Sequence, residues 1–196
     1  VDGTHVYVTA EGSTDGTGAV LMITKSDGTN FEVVAGNRNL PSGVAVDDQR
    51  VFWVDEGGIF SCPLATAGCA PTKVAEPIET SSGDDAMMLV DPSWVYWNYR
   101  GGVGRAPKTV GASESLVNAT GKTSGLAIGA GFLYFTVDED LGSIRRVALD
   151  GSSQDTLVDN IDEPRGTALD GAAVYWVTSP SEATGAEGSV MKAQLP

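Results

Sequence analysis

A short aromatic strand pattern that recurs five times constrains the fold more than any other feature of this chain. The spacings between successive copies are 45, 44, 38 and 41 residues. A period of about 40–45 residues built from short strands is typical of β-propeller blades. Helical solenoids share that period, but 25 Gly and 9 Pro interrupt every longer apolar run. The copies are Val6-Tyr7-Val8, Val51-Phe52-Trp53, Val95-Tyr96-Trp97, Leu133-Tyr134-Phe135 and Val174-Tyr175-Trp176.

Each repeat carries several further strand signals around the aromatic one. In the most complete repeat, they lie at residues 40–47, 50–54, 59–62 and 72–75. The first is a turn followed by a wholly apolar strand, which is typical of an inner strand buried on both faces. The sequence therefore predicts an all-β fold, a β-propeller of four-stranded antiparallel blades with about five repeats present.

Most aromatic side chains belong to this pattern, since nine of the 14 Phe, Trp and Tyr residues lie in it. Because they recur at equivalent positions, packing between blades explains them better than a carbohydrate-binding platform does. Trp94 and Tyr99 lie outside the repeated pair and are predicted to be exposed contact aromatics.

The later repeats carry a resemblance to a known family. Residues 142–152 read GSIRRVALDGS, residues 164–170 read PRGTALD, and residues 174–176 read VYW. Together they resemble the YWTD repeat of the low-density-lipoprotein-receptor class B module, which builds six-bladed propellers, and related bacterial secreted propellers. The resemblance covers essentially the whole chain and implies a fold rather than one function, since propellers host binding proteins, lyases, lactonases and scaffolds. Only Asp55 keeps the final acid of the tetrapeptide in register.

The strand signals define one domain spanning residues 1–196, with repeats at about 1–46, 47–90, 91–128, 129–169 and 170–196. The first and last are incomplete, because the first lacks its inner strand and the last its outer strand. We therefore expect part of a six-bladed ring, or a ring completed by another chain, with a closed five-bladed ring as the alternative. The start at Val1-Asp2 within a repeat suggests a processed or incomplete product.

The formal net charge of −14 excludes one class of partner. Such an excess of carboxylates repels phosphate backbones, so nucleic-acid binding is not expected. Strong acidity usually serves solubility, and attraction of cations or basic partners is the alternative. No apolar run approaches the roughly 18 residues that a membrane span requires.

The two cysteines, Cys62 and Cys69, lie seven positions apart in the second repeat. A thiolate zinc site would need two further ligands, and His5 is the sole histidine. A disulfide is therefore favoured over two free thiols, and it predicts a secreted, periplasmic or cell-surface protein.

A ligand site is expected at the channel mouth, where propellers place the starts of their inner strands. Asp84 and Asp85 replace Leu40 and Pro41 of the preceding repeat, so two carboxylates stand where the scaffold does not require them. Acids near an arginine can hold a cation or a polar ligand, or act as acid and base, although solvated turn acids are the alternative. The predicted site residues are Ser42, Asp84, Asp85, Ser124, Glu163 and Arg165, with Thr123 beside them.

A second candidate site follows the aromatic strand of the fourth repeat. Asp138, Glu139 and Asp140 precede a glycine at a hairpin tip, and calcium binds several oxygens on a tight loop. Acidic hairpin tips are commonly only solvated, so no cofactor is expected, with a calcium ion at this tip as the alternative. A Ser-His-Asp triad is not expected, because the single His5 occupies a slot whose residue type varies between repeats.

These features lead to three hypotheses. The first is a secreted or cell-surface propeller that binds a protein, a glycan or copies of itself. The second is a calcium-assisted enzyme of the lyase or lactonase type. The third is a structural subunit of a larger extracellular assembly.

Overall fold

The structure, a computed structural model, describes residues 1–26, 28, 30–78, 87–119, 121–139, 141–179 and 187–196. Within these ranges it has 18 β-strands and no helix. The strands are β1 (His5–Ala10), β2 (Gly18–Thr24), β3 (Phe31–Arg38), β4 (Ser42–Val46), β5 (Arg50–Asp55), β6 (Gly58–Pro63), β7 (Thr72–Ala75), β8 (Met88–Val90), β9 (Trp94–Tyr99), β10 (Gly102–Pro107), β11 (Glu114–Asn118), β12 (Lys122–Gly129), β13 (Phe132–Asp138), β14 (Gly142–Ala148), β15 (Gln154–Ile161), β16 (Pro164–Leu169), β17 (Ala173–Thr178) and β18 (Ser189–Gln194).

The strands form five sheets, which we call blades 1 to 5. Blades 2, 3 and 4 have four strands each, in the orders β4-β5-β6-β7, β8-β9-β10-β11 and β12-β13-β14-β15. Blade 1 contains β1-β2-β3 and blade 5 contains β16-β17-β18. Neighbouring strands follow each other in sequence, as expected for propeller blades. The prediction of an all-β propeller is confirmed, and the sheets of the first and last blades have three strands each among the described residues.

The first strands of blades 2, 4 and 5 share a bulge that a glycine makes possible. The register with the next strand shifts at Gly43 in blade 2, at Gly125 in blade 4 and at Gly166 in blade 5. All three glycines have φ between +46° and +60°, a region that strains residues with a Cβ. The residue before each glycine therefore occupies an equivalent place on the blade, and this position carries Ser42, Ser124 and Arg165.

The described chain divides into two compact units. The first comprises Val1–Trp97 and Gly104–Glu114, and the second comprises Asn98–Val103 and Ser115–Pro196. In the first unit, Tyr7, Val20 and Met22 of blade 1 pack against Val51 and Trp53 of blade 2. We call the face of a blade that carries the counterparts of Tyr7, Val20 and Met22 its back face. The face that carries the counterparts of Val51 and Trp53 is its front face.

The second unit repeats this arrangement. Tyr134 and Ile144 on the back face of blade 4 pack against Val174 and Trp176 on the front face of blade 5. Eight of the nine aromatic residues of the repeated pattern are buried, as predicted for packing between blades. The exception is Tyr175, on the back face of blade 5, which is partly exposed.

The predicted disulfide between Cys62 and Cys69 is present, and it shapes a loop that covers a strand edge. Within this loop, Gly68 N donates to Val33 O over 2.8 Å and Cys69 N donates to Val34 O over 2.9 Å. Both carbonyls belong to β3, the edge strand of blade 1. The loop thus satisfies backbone groups that would otherwise lie open to pairing with another chain.

None of the described residues forms a helix that is long and apolar enough to cross a membrane.

Candidate functional site

The predicted channel-mouth residues have very different environments. Ser42 begins β4 and is buried. Ser124 is also buried, with its Oγ 2.7 Å from Thr136 Oγ1 on the neighbouring strand. Asp84 and Asp85 lie outside the described residues. Both serines are thus buried in this structure, and their part in ligand binding stays a prediction.

Arg165 is the accessible member of the set. Its side chain is 34% exposed at the position where blades 2 and 4 carry a buried serine. Its Nε donates to Ser179 Oγ over 2.9 Å. Its Nη2 lies 3.7 Å from both Glu163 Oε2 and Asp138 Oδ2. These four residues, which we call the Arg165 cluster, bring together two predicted mouth residues and one predicted metal ligand.

At the predicted calcium site, the two described carboxylates form ion pairs with different arginines. Asp138 faces Arg165, and Glu139 Oε1 lies 3.6 Å from Arg145 Nη2. Asp140 lies outside the described residues. Among the residues that the structure describes, no group of three or more His, Cys, Asp or Glu side chains is arranged to hold a metal ion. In this arrangement the two described carboxylates neutralise arginines, and calcium binding there stays a prediction.

The single histidine is held in a turn. His5 Nδ1 lies 2.8 Å from Thr4 Oγ1 and 3.6 Å from Asp2 Oδ2. Both neighbours therefore contact the same ring nitrogen, whereas a triad needs the nucleophile and the acid on opposite nitrogens. This geometry does not supply an activated hydroxyl.

One aromatic prediction is wrong. Tyr99 is buried, with its hydroxyl 2.9 Å from Ser115 Oγ and donating to Val117 O over 3.3 Å. The residue ends an inner strand of a four-stranded blade, so the ring reaches across the sheet to the outermost strand instead of facing solvent. Trp94 is partly buried, and the guanidinium of Arg105 lies 4.4 Å from its ring centre.

A repeated aspartate–tyrosine contact was not predicted. Asp2, Asp91 and Asp170 each accept a hydrogen bond from the hydroxyl of the tyrosine five positions later, over 2.9, 2.7 and 2.6 Å. The other carboxylate oxygen accepts backbone N–H groups two and three positions later, which closes the turn before the aromatic strand. We call this unit the Asp–Tyr clasp. The spacing Asp-x-x-x-x-Tyr is the sequence signal that could have revealed it.

The clasp is structural rather than catalytic. Burial, together with the nearby Asp2 carboxylate, raises the pKa of Tyr7 to about 12, although a hydrogen bond from Ala65 N opposes this. Burial and Asp91 likewise raise the pKa of Tyr96. Burial alone would raise the pKa of Asp2, but hydrogen bonds from His5, Thr4 and Tyr7 lower it overall. The tyrosines thus remain donors and the aspartate an acceptor, with neither group prepared to move a proton near neutral pH.

The front face of blade 1 is apolar and exposed. The strand register aligns Val6, Ile23 and Phe31 in one row and Val8, Leu21 and Val33 in the next. Phe31 is 64% exposed and Val33 is 42% exposed, while the other four are partly exposed. We call these six residues the open front face.

The equivalent positions elsewhere are covered. In blade 2, Val51 and Trp53 correspond to Val6 and Val8, and both are fully buried against blade 1. The open front face therefore has the composition of a surface that packs against a neighbouring sheet.

No protein-family model matches the sequence. No curated protein matches it either. Solved structures do. A chain from a nidogen/laminin complex superposes with a TM-score of 0.69 at 19% identity, covering 96% of this chain and 78% of that one. A TolB-type protein from Agrobacterium tumefaciens superposes with a TM-score of 0.63 at 16% identity, covering 84% and 62% respectively. BamB from Moraxella catarrhalis superposes with a TM-score of 0.59 at 14% identity, covering 90% and 52%.

These likenesses identify the fold as a YWTD-like β-propeller, as the repeats implied. At such identities they carry the fold alone. This chain spans between about half and four fifths of the length of those three neighbours.

Proposed function

We propose that this chain is an extracytoplasmic β-propeller that acts by binding a protein partner through the open front face of blade 1. The observation that carries the proposal is the exposure of Phe31 and Val33 within two aligned apolar rows. Contiguous apolar surface of this kind is unfavourable in water and marks interaction sites in folded proteins. A partner that covers the face would gain this stabilisation.

Two further observations support a binding role outside the cytoplasm. The disulfide between Cys62 and Cys69 forms readily in the extracellular space or the periplasm but not in a reducing cytosol. One structural neighbour is part of a complex between nidogen and laminin, so this type of fold serves protein association there. The location proposed is therefore secreted, periplasmic or cell-surface.

Site-specific photo-crosslinking tests the proposal. A benzophenone amino acid replaces Phe31 in one variant and Val110 in the control, since Val110 is also strongly exposed at 75% but lies in a loop. Both variants are produced in the native host. We expect a discrete protein adduct at position 31 only, which disappears when Val33→Glu places a charge on the face. Absence of an adduct, or equal labelling at position 110, would overturn the proposal.

The Arg165 cluster favours a second candidate, the binding of a polar ligand such as a glycan. It combines an exposed guanidinium, two carboxylates and a hydroxyl, which together donate and accept hydrogen bonds in the way that sugar hydroxyls require. Arg165→Ser installs the residue that blades 2 and 4 already tolerate. Loss of glycan-array binding in this variant, with an unchanged melting temperature, would support the candidate, and unchanged binding would refute it.

The calcium-assisted lyase or lactonase remains an alternative that a simple titration addresses. If the acidic tip bound calcium, the ion would have to displace Arg165 and Arg145 from Asp138 and Glu139. A melting temperature that rises with calcium, and not in Asp138→Asn, is the result that would favour this enzyme class.

A further inference from the structure

Blade 5 also has an exposed apolar face, but it is the back face, whereas the exposed face of blade 1 is the front face. Its back face has Val177 beside Val190 and Tyr175 beside Lys192, as the register of β17 and β18 requires. Val190 is 77% exposed, and the other three side chains are at least partly exposed. We call these four residues the open back face.

The same positions are covered in blade 1. Val20 corresponds to Val190 and is fully buried, while Tyr7 corresponds to Tyr175 and packs against the front face of blade 2. In the second unit, the back face of blade 4 packs in the same way on the front face of blade 5. Back-on-front packing is therefore how adjacent blades associate within each unit, and among the described residues both surfaces also occur with exposed apolar side chains.

We propose that copies of this chain associate head to tail, with the open back face of blade 5 of one copy packed on the open front face of blade 1 of the next. The inference rests on the proposed function, because it names the partner of the front face. We favour a second copy as the occupant. In both units a front face packs against a back face that carries a tyrosine and aliphatic side chains, and blade 5 of this chain has such a back face. Such a contact joins two different surfaces, so it either closes into a ring or extends along a line.

Two features limit the strength of this contact. Lys192 stands where blade 1 has the buried Met22, so its ammonium must stay at the rim while its stem covers apolar surface. Each copy also carries a net charge of −14. Salt screens the resulting repulsion, so we expect association to strengthen as ionic strength rises.

Sedimentation analysis with two single variants tests the inference. Phe31→Glu disables the front face, Val190→Glu disables the back face, and Val110→Glu adds the same charge at an exposed valine in a loop. Wild type and Val110→Glu are expected to self-associate as concentration rises from about 1 µM to about 1 mM. Each single face variant should lose self-association by about 100-fold or more, because it buries an unpaired charge.

The decisive experiment is to mix the two face variants and measure whether they form heterodimers. The Phe31→Glu copy keeps an intact back face, and the Val190→Glu copy keeps an intact front face. An equimolar mixture should therefore form heterodimers and nothing larger, since each partner ends in a disabled surface. Circular dichroism and melting temperatures confirm that both variants are folded before mixing.

The remaining outcomes separate this inference from the proposed function. Monomeric wild type at every concentration and salt level, or a mixture that stays monomeric, overturns the head-to-tail contact. If a crosslinker at position 31 then captures a different protein, the interaction function stands without self-association. If it captures nothing, both fall.

Discussion

Blade 2 has the aspartate of the Asp–Tyr clasp but not its tyrosine. Restoring the tyrosine tests how much the clasp contributes to stability. Asp47 closes its turn as the other clasp aspartates do, accepting from Gln49 N over 2.8 Å and Arg50 N over 2.7 Å. The residue five positions later is Phe52, which has no hydroxyl. In its place, Lys108 Nζ pairs with Asp47 Oδ2, and it also donates to Asp91 O over 3.2 Å.

Replacing this lysine should cost measurable stability. Lys108→Met removes the donor to a partly buried carboxylate and to a backbone carbonyl. Charge-assisted hydrogen bonds in such settings contribute about 1.5–3 kcal/mol. We therefore expect a loss of about 2 kcal/mol, equivalent to a fall of roughly 4–8 °C in melting temperature for a chain of this size.

The informative step is the second substitution. Adding Phe52→Tyr to Lys108→Met restores a donor to Asp47, as in blades 1, 3 and 5, and should recover about half of the loss, about 1 kcal/mol. Recovery stays partial because the new hydroxyl does not serve Asp91 O. In the wild-type background the same Phe52→Tyr should give no gain, because the lysine already occupies the carboxylate.

Urea unfolding followed by tryptophan fluorescence measures all four members of this double-mutant cycle. Lys73→Met is the matched control, since it removes an identical side chain that is 41% exposed and pairs with Glu76, itself 79% exposed, and exposed ion pairs contribute little to stability. The pH dependence gives a second readout. Burial alone would raise the pKa of Asp47, but Lys108 and the backbone donors lower it overall. The stability gained from this lowering is present above the ordinary aspartate pKa, and it is lost as pH falls below that value.

The difference between wild type and Lys108→Met should therefore shrink as the pH falls below about 3.9. A strictly additive cycle would refute the reasoning, because it would mean that hydroxyl and ammonium do not serve the same carboxylate.

Three further predictions concern the disulfide, a buried tyrosine and a bulge glycine. Reduction, or replacement of Cys62 and Cys69 by serine, should lower stability by about 2–3 kcal/mol in urea unfolding, because it frees the loop that covers β3. The contribution of Tyr7 should be complete below pH 10 and lost as pH rises to about 12, and Tyr7→Phe should remove that alkaline loss from the unfolding midpoints. Gly125→Ala should cost about 2–4 kcal/mol, since its Cβ would lie 2.6 Å from Gly166 C in a left-handed conformation. Gly131→Ala, left-handed but in open space, should cost about 1–2 kcal/mol by the same assay.

The period of the sequence predicted the blades well, because strand packing repeats and packing needs the same residue class at each equivalent position. Eight of the nine aromatic residues of the pattern are therefore buried as expected. Cysteine spacing also predicted the disulfide, since no other ligands could make a metal site of Cys62 and Cys69.

Side-chain contacts that cross between strands were harder to predict. Tyr99 looked exposed because it lies outside the repeated pair, yet its hydroxyl spans the sheet to Ser115. The Asp–Tyr clasp was not predicted, because the YWTD tetrapeptide places its acid at the end of the strand, whereas the clasp uses the acid before the strand. That preceding aspartate is the one kept in four repeats, as Asp2, Asp47, Asp91 and Asp170.

At the predicted mouth residues, the backbone conformation is the same in different blades, whereas the side chains differ. Leu40 and Glu163 hold equivalent positions with φ of +46° and +40°, so this unusual conformation belongs to the blade and signals no site by itself. What differs between blades is the side chain that the bulge presents. Ser42 is enclosed, whereas Arg165 projects far enough to meet two carboxylates and stay one-third exposed. Because the backbone is common to the blades, the chemistry of this end of blade 5 depends on Arg165 and its neighbours rather than on the repeat.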